Sequence, residues 1–241
     1  MSDSSTILLA DAVDALVEAV HRLGLSLVVE RDFERLVRFL ESRDAFANPT
    51  FDPRASRFGP HDFWLAAVDR DGSVVASSAE RVFECEDFME LVATGRIWYA
   101  EGFAARFGVE RIPTLPISTR LHGRISHSSS TYVVPAFRRS GLALFLPYLS
   151  RALSFRNAAV AANTGFVRES LAATPVPTRS YGYAHVEKCL SGWWPPQGGS
   201  EVLYLCWITL PEFLEKLAEL PTHPRHPVRW PPRHRLEPVP A

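Results

Sequence analysis

The sequence predicts one α+β domain in which helices pack on a sheet, and three observations carry that reading. Residues 63–68 and 73–77 are apolar runs joined by Asp69-Arg70-Asp71-Gly72. Asp-Gly between such runs is a strong short-range hairpin signal. The β-branched run Thr131-Tyr132-Val133-Val134 leads through a short basic turn into apolar residues at helical spacing over 142–153, a strand, a turn and a helix in succession. Two further strand-like runs, 184–190 and 201–209, flank a loop over 192–199 that holds Gly192, Pro195, Pro196, Gly198 and Gly199.

The remaining elements follow in order. Leu9, Val13, Leu16, Val17 and Val20 form one face of an amphipathic helix over 7–23. Residues 25–29 read as a short strand, and Phe33, Leu36, Val37 and Leu40 return to helical spacing over 31–40. Pro, Asn and Gly mark 48–60 as a loop. A helix over 87–93 and a short strand over 97–99 follow the hairpin, and 100–125 is irregular. Residues 158–163 suit a strand or a continuation of the helix before it, the strand being preferred, and 167–173 and 212–220 read as helices. From 221 onward prolines recur among Arg225, Arg229, Arg233 and Arg235, the composition of an extended or disordered tail. The chain therefore divides into an N-terminal helical addition (1–24), a main domain (25–220) and a Pro/Arg-rich tail (221–241).

Composition narrows the function. A net charge of −1 argues against a nucleic-acid partner for the whole molecule. No apolar run reaches the roughly 18 residues of a membrane span, so no membrane partner is expected. Cys85, Cys189 and Cys206 are odd in number and far apart, and Met1-Ser-Asp-Ser-Ser lacks a basic signal region. Both fit a cytoplasmic protein. No metal site is expected. His223, His226 and His234 lie in the tail with no C-x-x-C or H-E-x-x-H beside them.

The chemistry centres on Arg138-Arg139-Ser140-Gly141-Leu142-Ala143. A helix N-terminus presents unpaired N–H groups and about half a positive charge, so this turn is an anion site strengthened by two arginines. It is neither G-x-x-x-x-G-K-[ST] nor G-x-G-x-x-G, which removes the P-loop and Rossmann readings. With Val133-Val134-Pro135 before it, the segment resembles the acyl-CoA-binding motif of the GCN5-related N-acetyltransferase superfamily. Arg138, Gly141 and Ala143 stand on the Arg/Gln-x-x-Gly-x-Gly/Ala positions. The element order from about 25 to 210 resembles that fold as well.

The resemblance implies a mixed, mostly antiparallel twisted sheet flanked by helices. It also implies acetyl-CoA or another acyl-CoA as cosubstrate. The backbone N–H groups of Arg139, Ser140, Gly141, Leu142 and Ala143 would hold its pyrophosphate, and Tyr132, Val133 and Val134 would pair with its pantetheine arm. Family members often place the base eleven residues before the motif Arg/Gln, which here is His127, and a near-neutral imidazole suits that role. The family's acid is a Tyr before a Gly-Phe pair. Gly182-Tyr183 stands for the pair, the expected tyrosine falls near Thr178, and Tyr181 and Tyr183 are the nearby substitutes.

The implied activity is direct transfer of an acyl group, acetyl by default, to the amine of a small molecule or peptide. A homodimer stays open. Rival readings are a non-catalytic acyl-CoA sensor, a longer-chain N-acyl synthase, and a nucleic-acid or membrane-surface binder acting through the arginine tail. Other clusters read as structural. His127-Ser128-Ser129-Ser130 has no G-x-S-x-G around it, Cys85 suits a small buried hydrophobe, and Trp193, Trp194 and Trp207 suit core positions as well as an acceptor pocket.

Overall fold

A computed structural model describes residues 3–219. Helix α1 (Asp3–His21), strand β1 (Ser26–Glu30) and helix α2 (Phe33–Glu41) lead into the hairpin of β2 (Phe63–Val68) and β3 (Val74–Cys85). Helices α3 (Phe88–Thr94) and α4 (Gly102–Phe107) precede β4 (Gly123–Val133), α5 (Leu142–Ala158), β5 (Ala162–Arg168) and α6 (Glu169–Ala172). Strands β6 (His185–Trp194) and β7 (Gly199–Thr209) and helix α7 (Leu210–Glu219) complete the described residues.

The seven strands form one sheet in the order β1-β2-β3-β4-β5-β7-β6. Neighbours are antiparallel except β4 and β5, which run parallel because α5 carries the chain back between them. Period-2 alternation gives the sheet two buried faces. Val167, Cys206 and Ile208 point into the larger core with Leu142, Leu146 and Leu149 of α5. Leu9, Leu16 and Val20 of α1 join that same core. Phe166, Leu205 and Trp207 point the other way, into an aromatic core with Phe88 of α3, Trp98 and Phe103.

The structure corrects four sequence expectations. Residues 97–99 are no strand. Ile97, Trp98 and Tyr99 are all buried in a turn, with Trp98 stacked on Phe103 at 5.5 Å. Three apolar residues in a row record burial and not strand geometry. Strand β3 runs on past Ser77 to Cys85, and β4 begins at Gly123, so Thr131–Val133 is only its end. Residue 158 closes α5, Ala159 turns at φ 48°, and β5 starts at Ala162. The last strands extend into the 192–199 loop, β6 to Trp194 and β7 from Gly199. The tail lies outside the described residues.

One irregularity shapes the site. Ala79 pairs with Ser129 but Ser77 pairs with Tyr132, so Ser130 and Thr131 stand opposite Ser78 alone. This bulge puts Ser130 at φ 53°. Serines of β3 hold it, Ser77 Oγ donating to the Ser130 carbonyl at 2.8 Å and Ser78 Oγ lying 3.3 Å from Thr131 Oγ1. Bulges of this kind re-aim side chains beside functional sites.

Candidate active site where two parallel strands part

Strands β4 and β5 pair from Ile125↔Ala162 to Ser128↔Gly165 and then separate. Beyond that point β4 stays with β3 and β5 stays with β7. The parting opens a cleft of about 290 Å³. Ser128, Ser129, Ser130 and Thr131 line it from β4, Gly165, Phe166 and Val167 from β5, and Leu40, Ala45 and Phe46 from α2 and the loop after it. Tyr132, Pro147, Leu171, Tyr181 and Tyr183 complete the wall, which among the described residues holds no Asp, Glu, Lys, Arg or His.

Gly165 is required by close approach. A Cβ there would lie 2.4 Å from the Tyr183 hydroxyl and 3.3 Å from the Ser128 carbonyl oxygen. The Tyr183 hydroxyl donates to the Thr164 carbonyl at 3.2 Å, and the Arg151 guanidinium lies 4.3 Å from its ring centroid. Burial pushes the Tyr183 phenol up to about 12 and raises that of Tyr181, so both keep their protons at neutral pH.

Beneath Ser128 lies a buried polar network between the sheet and α5. Glu80 of β3 is fully buried and accepts from Ser128 Oγ, from Ser150 Oγ at 2.9 Å and from Asn163 Nδ2 at 3.0 Å. Asn163 is oriented by Arg151, whose Nε donates to its Oδ1 at 2.8 Å. Arg151 Nη1 donates to the Tyr181 carbonyl at 2.7 Å. Desolvation drives the Glu80 carboxyl up to about 7, against the hydrogen bonds and the Arg151 charge that favour its ionised form.

His127, one residue along β4, faces the opposite way. It has no exposed surface and lies among Phe88 and Phe166, ring centroids 6.0 and 5.0 Å away. Thr164 Oγ1 donates to the Ser126 carbonyl at 3.0 Å and lies 3.0 Å from His127 Nδ1. That hydroxyl has one proton, so Nδ1–H donates to it and Nε2 is the bare nitrogen, buried with no hydrogen-bond partner. Burial, then the charge of Arg81, hold the imidazole at about 3. The structure thus sets His127 apart from the cleft, because the period-2 alternation of β4 turns residue 128 towards it and residue 127 away.

The α5 N-terminus lies along β4 from the cleft, outside its lining. Gly141 caps the helix at φ 92°, and Arg139 also adopts the left-handed region at φ 66°. That conformation is uncommon outside glycine. Arg138 and Arg139 are exposed, Arg138 Nε donating to the Val133 carbonyl at 3.4 Å. Leu142 N–H meets only Ser140 Oγ at 3.4 Å, and Ala143 is exposed. Among the sequence-predicted residues, the structure brings Tyr132, Tyr181 and Tyr183 to the cleft, Val133 to the end of the strand leading from it, Val134 just past that end, and 138–143 to the turn beyond.

Sequence reasoning passed over Glu80, Ser150, Arg151 and Asn163, and read Ser128 as structural. One signal was available, a glutamate directly after four small residues (Ala76-Ser77-Ser78-Ala79-Glu80).

No protein-family model and no curated protein matches this chain. Solved structures do. A spermidine N-acetyltransferase (SpeG) mutant from Vibrio cholerae superposes with a TM-score of 0.50 at 10% identity, over 80% of this chain and 98% of its own. Arabidopsis thaliana NAA60 in complex with acetyl-CoA gives 0.45 at 16%, over 76% and 100%. The ribosomal-protein-S18-alanine N-acetyltransferase of Escherichia coli gives 0.44 at 14%, over 77% and 94%. At that TM-score and coverage the first of these shares the fold of this chain, a seven-stranded, mostly antiparallel sheet with one parallel pair here. The chain has the fold of the GCN5-related N-acetyltransferases.

Proposed function

We propose that this protein is a cytoplasmic N-acyltransferase that binds an acyl-CoA, acetyl-CoA by default, and transfers its acyl group directly to an amine. One observation carries the reading: the parallel pair parts at Ser128↔Gly165, and the freed strand leads straight to a glycine-opened helix N-terminus beside two arginines. Past Ser128 the β5-facing edge of β4 has no strand partner among the described residues, so backbone at Tyr132 and Val133 would meet the amide groups of a pantetheine arm, whereas the Val134 N–H already donates to the Val75 carbonyl at 2.9 Å. The N–H groups from Arg139 to Ala143 would take the pyrophosphate. The thioester would then lie beside Ser128 and Gly165, in a wall that includes the protonated phenols of Tyr181 and Tyr183.

The wall also bears on the acceptor. SpeG acetylates a polyamine, whereas this lining offers no carboxylate for a second cationic group. Apolar Leu40, Ala45, Phe46 and Leu171 suit an amine on an apolar small molecule or peptide, or a longer acyl chain. The same uncharged wall, with His127 turned away, favours a second reading as a non-catalytic acyl-CoA sensor. Incubation with acetyl-CoA and a panel of apolar, polar and peptidic amines, followed by free-thiol release, separates them. Amine-dependent release supports the enzyme. Saturable acetyl-CoA binding with no release across the panel supports the sensor.

A further inference from the structure

We propose that Ser128 and Glu80 form a proton relay that carries the acceptor's ammonium proton out of the cleft and into the protein. This rests on the acyltransferase reading above. Ser128 both lines the cleft, at the point where the strands part, and donates directly to Glu80, whereas Thr131, which also lines it, reaches Glu80 only through the longer Ser78 and Ser150 contacts at 3.3 and 3.4 Å. Glu80 itself is 0% exposed. A base so placed reaches the cleft through the Ser128 hydroxyl, and among the described residues the wall itself has no carboxylate or imidazole.

The surroundings suit proton acceptance. Arg151 of α5 is the charged group acting on Glu80. Tyr183, and Cys206 of β7, both pushed up to about 12 by burial, stay neutral. Arg81 and His127, though adjacent in sequence to Glu80 and Ser128, belong to the other face. Burying a carboxyl this way costs stability that apolar residues of the same volume would not. A merely structural tie between β3 and α5 would need no ionisable group, and no arm reaching the cleft.

The step balances as follows. The ammonium gives a proton to Ser128 Oγ as Ser128 gives its own to Glu80, leaving a neutral amine and a neutral carboxylic acid. The amine nitrogen attacks the thioester carbon, the C–N bond forms and the C–S bond breaks. The second nitrogen proton goes to the thiolate. After product release Glu80 returns its proton to solvent through Ser128.

The test is the pH profile of thiol release in the full-length protein, with infrared titration of the buried carboxyl alongside. Wild-type turnover should rise through a limb near pH 7, where the carboxyl ionises. Glu80→Gln keeps the amide in place but should lose roughly 100-fold together with that limb. Ser128→Ala should lose the limb while its carboxyl band still titrates, a split that a structural role would not produce. Ser150→Ala, which removes one donor to the carboxylate, should move the limb to higher pH. If E80Q does not fold, S128A alone decides. Variants that release thiol with the wild-type limb overturn the relay and leave the acyltransferase standing. Absence of release from wild-type protein with every amine overturns both.

Discussion

Two polar centres lie back to back on β3 and β4, one residue out of step. Glu80 and Ser128 face α5, whereas Arg81 and His127 face the aromatic core. Both are buried and both hold ionisable groups, yet only the first touches the cleft. In the second, Arg81 donates to the carbonyls of Thr50 and Arg57 at 2.9 and 2.7 Å and lies 3.5 Å from Asp62. Asp62 in turn accepts from the Val82 and Gly59 N–H groups, both at 2.8 Å. All of these contacts but the Gly59 one, which closes the loop on itself, tie the 50–62 loop to β3. The lesson is that burial and a shifted pKa do not by themselves mark chemistry, and that an open path from the buried group to a cleft does.

The largest expected effect strikes the sealed centre. Asp62→Ala leaves the Arg81 guanidinium buried without its carboxylate and should lower unfolding stability by about 3–5 kcal/mol, read by denaturant melts. Activity per folded molecule should stay near wild type. On the open side, Gly165→Ala drives a Cβ against the Tyr183 hydroxyl. Such overpacking costs about 1–3 kcal/mol, and here turnover should fall by more than the folded fraction does.

The pH dependence of stability should separate the two centres by sign. A carboxyl raised from 4.5 to about 7 binds its proton more tightly when folded, so Glu80 makes stability fall as pH rises from 4.5 through 7. An imidazole lowered from 6.5 to about 3 resists protonation when folded. His127 therefore makes stability fall as pH drops below 6.5 towards 3. Melts across that range should show Glu80→Gln and His127→Phe removing slopes of opposite sign. His127→Phe should also keep turnover per folded molecule, since Phe88 and Phe166 already form an aromatic cage. Its loss of turnover at unchanged stability would place His127 in the chemistry. Smallest is Arg138→Ala on the surface, which should change stability by less than about 0.5 kcal/mol. It should weaken acetyl-CoA binding a few-fold, less at high salt.

The sequence made this contrast only half legible. Helices α1, α2 and α5 and the β2–β3 hairpin could be read because 3.6- and 2-residue periods are local properties of the chain. The turn at Gly141 could be read because left-handed backbone and a helix start both leave residue signatures. Glu80 and Ser128, by contrast, are 48 residues apart and meet only through the β3–β4 register. That register includes a bulge with no marker beyond a run of serines. Positional analogy selected residue 127. Strand alternation, which a one-residue slip would invert, decides that residue 128 faces the cleft.

The most direct test of the central claim, that the parted strands and the α5 N-terminus together bind an acyl-CoA, is a thermal melt with acetyl-CoA, longer acyl-CoAs, CoA and ATP. A ligand at a hundredfold excess over its Kd should stabilise the folded protein by about 2.7 kcal/mol. That shift is expected with the CoA species and not with ATP, and is expected to vanish in Gly141→Val, where a branched side chain would have to adopt φ 92°. No shift with any CoA species at millimolar concentration would contradict the claim.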